Sequence, residues 1–292
     1  MKELSKLANA LGVTVSNDEK LAFLFYRKSV LYDTNDFSEV WNLTVPPYTT
    51  CAAISYDNSI LAIKNYSGKI SLWDIKNKIL IKNFPMKKLP GANCLFSPDD
   101  RYLVDADVDG NIMLIDNESL THKVINKYCG SMINGITFNY DTNEFIFSFL
   151  EKNTDLSIAI SKNHAVIWKY PFEKNEPVNQ IIPAEVGEFS PIRNIPNSTK
   201  YYSYNEKALI ILNSMFEIES KIPIKLDYGF KPICSSKDGK YIITIKHGIN
   251  LYSLNTFKLV SDHFIKGAID GAFFNNNKII VASKYGSYVM EL

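Results

Sequence analysis

Short apolar runs alternate with polar turns along the whole chain, and the runs are rich in Val, Ile, Phe and Tyr. Most runs are about four to eight residues long, which is the length of a β-strand and too short for an amphipathic helix. The turns are rich in Asp, Asn, Ser and Pro, which favour β-turns. The pattern therefore predicts an all-β protein built from antiparallel strands.

The chain also repeats. A strand end, a polar turn and an apolar run recur in VSNDEKLAF (15–23), ISYDNSILA (54–62), FSPDDRYLV (96–104), FNYDTNEFI (138–146) and SSKDGKYII (235–243). The residues just before the turns are read as Ser16, Ser55, Ser97, Asn139, Ser190, Ser236 and Asn275, spaced by 39, 42, 42, 51, 46 and 39 residues. A period near forty with several strands per unit predicts a β-propeller. Seven four-stranded antiparallel blades would fill residues 1–292 as a single domain.

Each unit contains a further strand that ends in an aromatic or aliphatic residue followed by a polar one, such as Trp73-Asp74. A tight glycine turn precedes this strand in GKISLWD (68–74) and DGNIMLID (109–116), as in a β-hairpin. Together with FSPDD (96–100), these segments resemble the WD-repeat β-propeller family. The resemblance implies a closed ring of blades that binds partners at one rim. Unlike that family, the units lack a Gly-His pair before the first strand, and with it most of the family's His–Ser/Thr–Asp–Trp network.

Ring closure requires a strand from elsewhere, because the last unit, DGAFFNNNKIIVASKYGSYVMEL (270–292), provides only about three strands. We expect KELSKLAN (2–9) to supply the fourth. The alternative is an amphipathic helix, because Leu4, Leu7, Ala8 and Leu11 have helical spacing.

The stretch DADVDGNIMLID (105–116) fits the pattern of a calcium-binding loop. It aligns with IKNYSGKISLWD (63–74), which keeps the glycine and lacks the first three acids. An EF-hand also needs helices on both sides, whereas β-forming residues precede the loop. We therefore predict a hairpin, and adventitious calcium binding by Asp105, Asp107 and Asp109 stays open as an alternative.

Composition excludes some functions. The net charge is +1, with 32 basic and 31 acidic residues and only three arginines, which argues against nucleic-acid binding. No stretch approaches the ~20 apolar residues of a membrane span, and the first residues lack the apolar core of a signal peptide. We expect a cytoplasmic protein with reduced, mostly buried thiols at Cys51, Cys94, Cys129 and Cys234.

Catalytic and metal-binding motifs are absent from the sequence. The histidines, at positions 122, 164, 247 and 263, lack metal-ligand spacing. The leading prediction is a non-catalytic scaffold, most simply a monomer, without cofactor or metal. Two alternatives remain: a propeller enzyme of the lactonase or hydrolase kind with a metal in its central channel, and a binding subunit of a bacterial defence, toxin or secretion system.

The predicted binding surface is the rim formed by loops that connect one blade to the next. Aromatic residues recur near lysines in these loops, a composition that favours an acidic or phosphorylated peptide. The candidate residues are Tyr48, Lys87, Lys88, Tyr128, Tyr228, Phe230, Lys231 and Lys266. The alternative is that the aromatics pack between blades and the lysines are ordinary surface residues. Extra length around 150–157 is a second candidate for the binding face, and the tryptophans at 41, 73 and 168 are expected to pack between blades.

Overall fold

A computed structural model of the protein describes residues 1–26, 29–44, 49–85, 93–107, 109–128, 131–151, 163–183, 185–186, 191–205, 207–224, 233–245, 248–275 and 277–292. Its regular structure consists of 28 β-strands and a short 3-10 helix at Phe172–Lys174. Within the described ranges, no helix is long and apolar enough to cross a membrane. The all-β class predicted from the sequence is confirmed.

One compact unit comprises Met1–Lys88, Phe96–Arg101 and Lys231–Leu292. It contains four antiparallel sheets of four strands each, here called blades 1, 2, 6 and 7. Blade 7 combines β1 (Lys2–Leu7) with β26 (Ala268–Phe274), β27 (Lys278–Ser283) and β28 (Ser287–Glu291). Blade 1 consists of β2 (Gly12–Val15), β3 (Leu21–Phe25), β4 (Ser29–Asp33) and β5 (Glu39–Leu43). Blade 2 consists of β6 (Thr49–Ile54), β7 (Ile60–Asn65), β8 (Ile70–Asp74) and β9 (Ile79–Phe84), and blade 6 of β22 (Ile233–Ser235), β23 (Tyr241–Ile245), β24 (Gly248–Ser253) and β25 (Lys258–Phe264).

The other compact unit comprises Leu89–Leu95 and Tyr102–Phe230. Its strands form blades 3, 4 and 5. Blade 3 consists of β10 (Leu95–Phe96), whose second residue is assigned to the first unit, β11 (Tyr102–Ala106), β12 (Asn111–Asp116) and β13 (Thr121–Lys127). Blade 4 consists of β14 (Ser131–Asn139), β15 (Glu144–Glu151), β16 (Asn163–Lys169) and β17 (Val178–Ile181), and blade 5 of β18 (Arg193–Asn194), β19 (Tyr201–Tyr204), β20 (Ala208–Leu212) and β21 (Ile218–Pro223).

Seven four-stranded antiparallel sheets in chain order define a seven-bladed β-propeller, as the repeat predicted. That the chain forms a single domain stays a prediction. The N-terminal strand is confirmed: β1 pairs antiparallel with β28, from Lys2 opposite Glu291 to Leu7 opposite Ser287. The helical alternative for this segment is therefore wrong, and residues from both ends of the chain share one sheet.

The hydrophobic core lies between consecutive blades inside each unit. In β3, Leu24 packs in a cluster with Phe274 of blade 7, whereas its neighbour Phe23 packs in a cluster with Leu61 of blade 2. Successive residues of a strand point to opposite faces of the sheet. A blade buried on both faces therefore needs a continuous apolar run such as LAFLF, and not an alternating one.

The three tryptophans pack between blades, as predicted. Trp41 of blade 1 meets Trp73 of blade 2 edge to face, with ring centroids 5.8 Å apart, and both lie against the cluster shared by these blades. Trp168 is buried in the cluster shared by blades 3 and 4, and its Nε1 donates to the Asn175 carbonyl at 2.8 Å.

The turns between first and second strands share one construction. Ser16, Ser55, Ser97 and Ser236 each donate a hydroxyl hydrogen bond of 2.7 Å to the aspartate two residues later. This local Ser-x-Asp turn is the pattern from which the repeat can be recognised in the sequence. Ser190, read from the sequence as the residue before the turn of blade 5, lies outside the described residues, and that reading is wrong because the turn lies at residues 195–200, where the Ile195 N–H donates to the Lys200 carbonyl.

The calcium-like stretch forms a β-hairpin, as predicted, with β11 before the turn and β12 after it. Asp107 Oδ1 accepts the backbone N–H groups of Asp109 and Asn111, both at 2.9 Å. In the aligned turn of blade 2, Asn65 Oδ1 accepts those of Ser67 and Lys69 at 3.1 and 3.0 Å. The Asn65 amide thus accepts the same backbone hydrogen bonds as the Asp107 carboxylate. The acid at position 107 is therefore explained by its role in stabilising the turn.

The outer strands are irregular. A register shift interrupts the pairing of six of them, leaving one extra residue at Leu4, Val40, Ile81, Ile125, Glu219 or Val260. Such bulges twist a sheet edge and disrupt its ladder, which discourages edge-to-edge pairing with other chains. The outer edges therefore present side chains more readily than a regular row of backbone groups.

Candidate interaction rim

Within every blade, the turn between the second and third strands lies at the same end as the connections that enter and leave the blade. This follows from antiparallel strand order, and we call this end the rim. Among the predicted loops, the described connection from β25 to β26 lies at this end. Six of the eight candidate residues lie outside the described residues: Tyr48, Lys87, Lys88, Tyr228, Phe230 and Lys231. The other two are Tyr128 and Lys266.

Lys266 lies in the connection from β25 to β26, which is tied to the β27–β28 turn. Ser283 Oγ donates to the Lys266 carbonyl at 2.8 Å, and the Lys284 N–H donates to the Gly267 carbonyl at 3.2 Å. The Tyr285 N–H in turn donates to Ser283 Oγ at 3.1 Å. Ser283 is fully buried. Its hydroxyl bonds both the β25–β26 connection and the β27–β28 turn and so fixes their relative position.

Gly267 brings the Tyr285 ring onto the loop backbone. It has a φ of +70°, and a Cβ at this position would lie 2.7 Å from Tyr285 Cδ2. A side chain at residue 267 would therefore displace the ring, in addition to straining the backbone. Glycine here allows the aromatic ring to cover the loop closely.

Above this contact, Lys266 and Tyr285 form a cation–π pair. The Lys266 ammonium lies 5.1 Å from the centroid of the Tyr285 ring. Tyr285 is 59% exposed, and Phe264 at the end of β25 is 74% exposed. An exposed cation–π contact contributes about 0.5–1 kcal/mol, so it orients the lysine while leaving both groups accessible.

A second lysine–tyrosine pair lies on the same blade. Lys6 of β1 pairs in register with Tyr288 of β28, and its ammonium lies 6.0 Å from the Tyr288 ring centroid. A Cβ on Gly286, which follows Tyr285, would lie 2.6 Å from Lys6 Cε. The two pairs are therefore adjacent. We call Lys6, Phe264, Lys266, Tyr285 and Tyr288 the rim patch.

The strand that follows this connection, β26, contains one carboxylate, that of Asp270. Asp270 Oδ2 accepts the Val13 N–H of blade 1 at 3.0 Å, and its Oδ1 accepts the Gly271 N–H at 2.7 Å. This carboxylate is engaged by backbone donors of the first strands. The rim patch itself contributes two ammonium groups and no acid.

Tyr128 is placed differently. Its N–H donates to the Gly110 carbonyl at 2.8 Å, and its ring meets Phe149 edge to face at 4.6 Å. The ring packs against the cluster between blades 3 and 4, and burial raises the pKa of its hydroxyl. Its geometry is that of a partly buried packing residue, and a binding role for Tyr128 stays a prediction.

Sequence reasoning missed Tyr285 and Tyr288 as candidates because it concentrated on the connecting loops. The signal was present in KYG (284–286), which occupies the same turn as YSG (66–68) of blade 2. Both turns place a tyrosine shortly before the glycine, and Tyr66 is also 59% exposed. What no pattern showed is that Gly267 would let Tyr285 stack against Lys266, because that contact joins different segments.

The described residues contain no group of three or more His, Cys, Asp or Glu side chains placed to hold a metal ion. Cys94 is buried, and Cys51 and Cys234 are partly buried. Cys129 and His247 lie outside the described residues.

No protein-family model and no curated protein match the chain. Solved structures do share its fold. One is a chain of hydrazine synthase from Kuenenia stuttgartiensis, with a TM-score of 0.72 and 13% sequence identity over 100% of this chain and 97% of that chain. At this identity the similarity establishes the fold alone, which is that of a β-propeller.

Proposed function

We propose that this chain is a non-catalytic scaffold of the WD-repeat type that binds a protein or peptide at its rim. The observation that carries the proposal is the rim patch, in which Lys266, two residues after the exposed Phe264, lies over the exposed ring of Tyr285. Aromatic anchors next to cations are typical of binding hot spots. Their support by the buried Ser283 means that little order has to be gained on binding.

The chemistry of the patch favours an acidic partner. Lys6 and Lys266 offer two ammonium groups, each held over a tyrosine ring. A carboxylate or phosphate could pair with either ammonium while an apolar side chain rests on Phe264. A cytoplasmic location and a monomeric state are part of the same proposal.

The test is affinity capture from a lysate of the source cells, followed by mass spectrometry. The wild type is compared with Lys266→Glu/Tyr285→Ala, which removes the cation and the ring from the patch. The matched control is Lys174→Glu/Tyr140→Ala, which makes the same changes in turns at the opposite end of blade 4. Tyr140 is 55% exposed, close to the 59% of Tyr285.

We expect one protein to be captured by the wild type and by the control and to be lost with the rim variant. Thermal unfolding of all three proteins shows that each is folded. If the rim variant captures the same partners as the wild type, or if the control loses them equally, the rim patch is not the binding site.

A further inference from the structure

Blade 2 exposes an unusual outer strand. Strand β9 places three consecutive large apolar residues on the surface: Ile79 is 57% exposed, Leu80 40% and Ile81 36%. It has only one neighbour in its sheet, β8. These three adjacent aliphatic residues keep between 36% and 57% of their surface exposed at the sheet edge, and that apolar surface is available to a partner. Such a patch marks an interaction site.

A β-bulge in β9 determines how a partner can bind to this edge. Leu80 pairs with Trp73 and Lys82 pairs with Leu72, so Ile81 is the extra residue. The bulge interrupts the row of backbone groups and makes the edge a poor template for a long added strand. It also turns neighbouring apolar side chains outward, and binding here depends chiefly on side chains.

The charge of the segment defines its partner. Residues 75–98 contain five lysines and no acidic residue. Asp74 of β8, which lies opposite Ile79, accepts hydrogen bonds from the N–H and Nδ2 of Asn77 at 2.7 and 2.8 Å. Two of the lysines, Lys78 and Lys82, flank the apolar residues. Lys78 Nζ donates to the Val40 carbonyl at 2.8 Å, and Lys82 Nζ lies 5.5 Å from the Phe84 ring centroid. Both ammonium groups are thereby held close to the strand.

A comparison with β25 shows how the charge of β9 differs from that of another apolar outer strand. Strand β25 also exposes two adjacent aliphatic residues, Leu259 at 51% and Val260 at 54%. Its charges, however, are balanced by one lysine and one aspartate, Lys258 and Asp262. An apolar edge of mixed charge does not select the sign of its partner, whereas a uniformly basic one does.

A second copy of the chain is a poor occupant. If two β9 strands met antiparallel about Leu80, Lys78 of each copy would face Lys82 of the other. Like charges directly opposite each other destabilise strand pairing. The apolar residues alone would promote self-association through β9. The lysines on both sides of them disfavour it.

From these observations we propose that β9 is a docking site for a short segment of another protein in which acidic residues flank apolar ones. The apolar side chains of that segment cover Ile79, Leu80 and Ile81, and its carboxylates meet Lys78 and Lys82. The site lies on the outer edge of blade 2 and does not depend on the rim patch.

The test starts from a displayed library of random 12-residue peptides selected on the wild type. The selected peptides are counter-selected on Ile79→Ser/Ile81→Ser, so that only β9-dependent sequences remain. The consensus peptide is synthesised with a fluorophore and titrated by anisotropy against the wild type and three variants. These are Lys78→Glu/Lys82→Glu, the rim variant Lys266→Glu/Tyr285→Ala, and the matched edge control Leu259→Ser/Val260→Ser.

We expect a consensus with acidic residues around an apolar centre. Its affinity should fall at least tenfold in Lys78→Glu/Lys82→Glu, weaken with added salt, and change less than twofold in the edge control and the rim variant. The proposal is overturned if no peptide survives counter-selection, if the survivors lack acidic residues, or if the edge control loses as much affinity. Loss in the rim variant alone would place binding at the rim and leave only the proposed function standing. Sedimentation of wild type and Ile79→Ser/Ile81→Ser adds a further check, because a dimer lost in the variant would make a second copy the occupant and refute the proposal.

Discussion

Asp18 gives the sharpest test of how neighbouring turns hold each other. Its carboxylate accepts hydrogen bonds from Ser16 Oγ at 2.7 Å, from the Lys20 N–H at 3.1 Å and from Asn58 Nδ2 at 2.9 Å. The last of these donors belongs to the equivalent turn of blade 2. Burial by itself raises the pKa of Asp18, but these hydrogen bonds, together with the Lys20 ammonium at 3.1 Å, lower it from 3.8 to about 2.

The direction of the pKa change fixes the pH dependence. A carboxyl group whose pKa is lower in the folded state stabilises the fold above its ordinary pKa, and this stabilisation is lost as the pH falls through the folded value. At about 1.4 kcal/mol per pKa unit, the lowering of Asp18 sets an upper limit of about 2.5 kcal/mol. Because the side chain is 30% exposed, solvent screening reduces the expected contribution to about 1 kcal/mol.

Urea unfolding of the wild type and Asp18→Asn should therefore differ by about 1 kcal/mol at pH 7 and by about half as much at pH 3. Asp238→Asn is the matched control. Within the described structure, Asp238 accepts the same hydrogen bonds from Ser236 and Lys240 but none from another blade. A difference between wild type and Asp18→Asn that is equal at both pH values would refute the electrostatic argument. An equal cost for Asp238→Asn at pH 7 would show that the Asn58 bond between blades contributes nothing.

Three further predictions concern single turns. Lys78 has a φ of 59°, so Lys78→Gly should raise the free energy of unfolding by about 0.5–1 kcal/mol, and Lys78→Ala should not; equal effects of the two changes on thermal unfolding would contradict this. Gly267→Ala should lower stability by about 1–2 kcal/mol and shift the NMR signals of Tyr285, because the new Cβ meets that ring and φ is +70°; unchanged signals would show that the contact is absent. Asp107→Ala should cost about 2 kcal/mol in urea unfolding, because its carboxylate accepts three hydrogen bonds in its hairpin, and calcium should not change the melting temperature of the wild type; a rise that EDTA reverses would make the loop a calcium site.

The fold could be predicted from the sequence because its signals are local. A Ser-x-Asp turn is formed by residues close together in the sequence, as at Ser16 and Ser55, so the sequence pattern alone predicts the turn. Residues buried on both faces give continuous apolar runs, and the period of the units then fixes the architecture. The failure at Ser190 has the same cause, because the turn at 195–200 lacks the Ser-x-Asp signature and another serine was taken in its place.

The candidate sites were less accessible to sequence reasoning because they are made by distant segments. Lys266 was predicted from its loop, but its partner Tyr285 comes from a turn in the next blade. The exposure of Ile79, Leu80 and Ile81 could not be read from ILIKNF, because the same letters describe a buried strand. The structure shows that β9 is an edge strand, because it pairs with β8 on one side and with no strand of its sheet on the other.

The pairing of β1 with β28 also means that blade 7 cannot be completed until late in synthesis. Lys2–Leu7 is synthesised roughly 280 residues before Ser287–Glu291, so it has to wait for that strand before it can pair. At roughly 5–20 residues per second, that delay is about 15–60 s. Throughout this time, Lys2–Leu7 is an unpaired strand within reach of chaperones and of other nascent chains. A bulky fusion partner placed before Lys2 would prolong this exposure by hindering the final pairing.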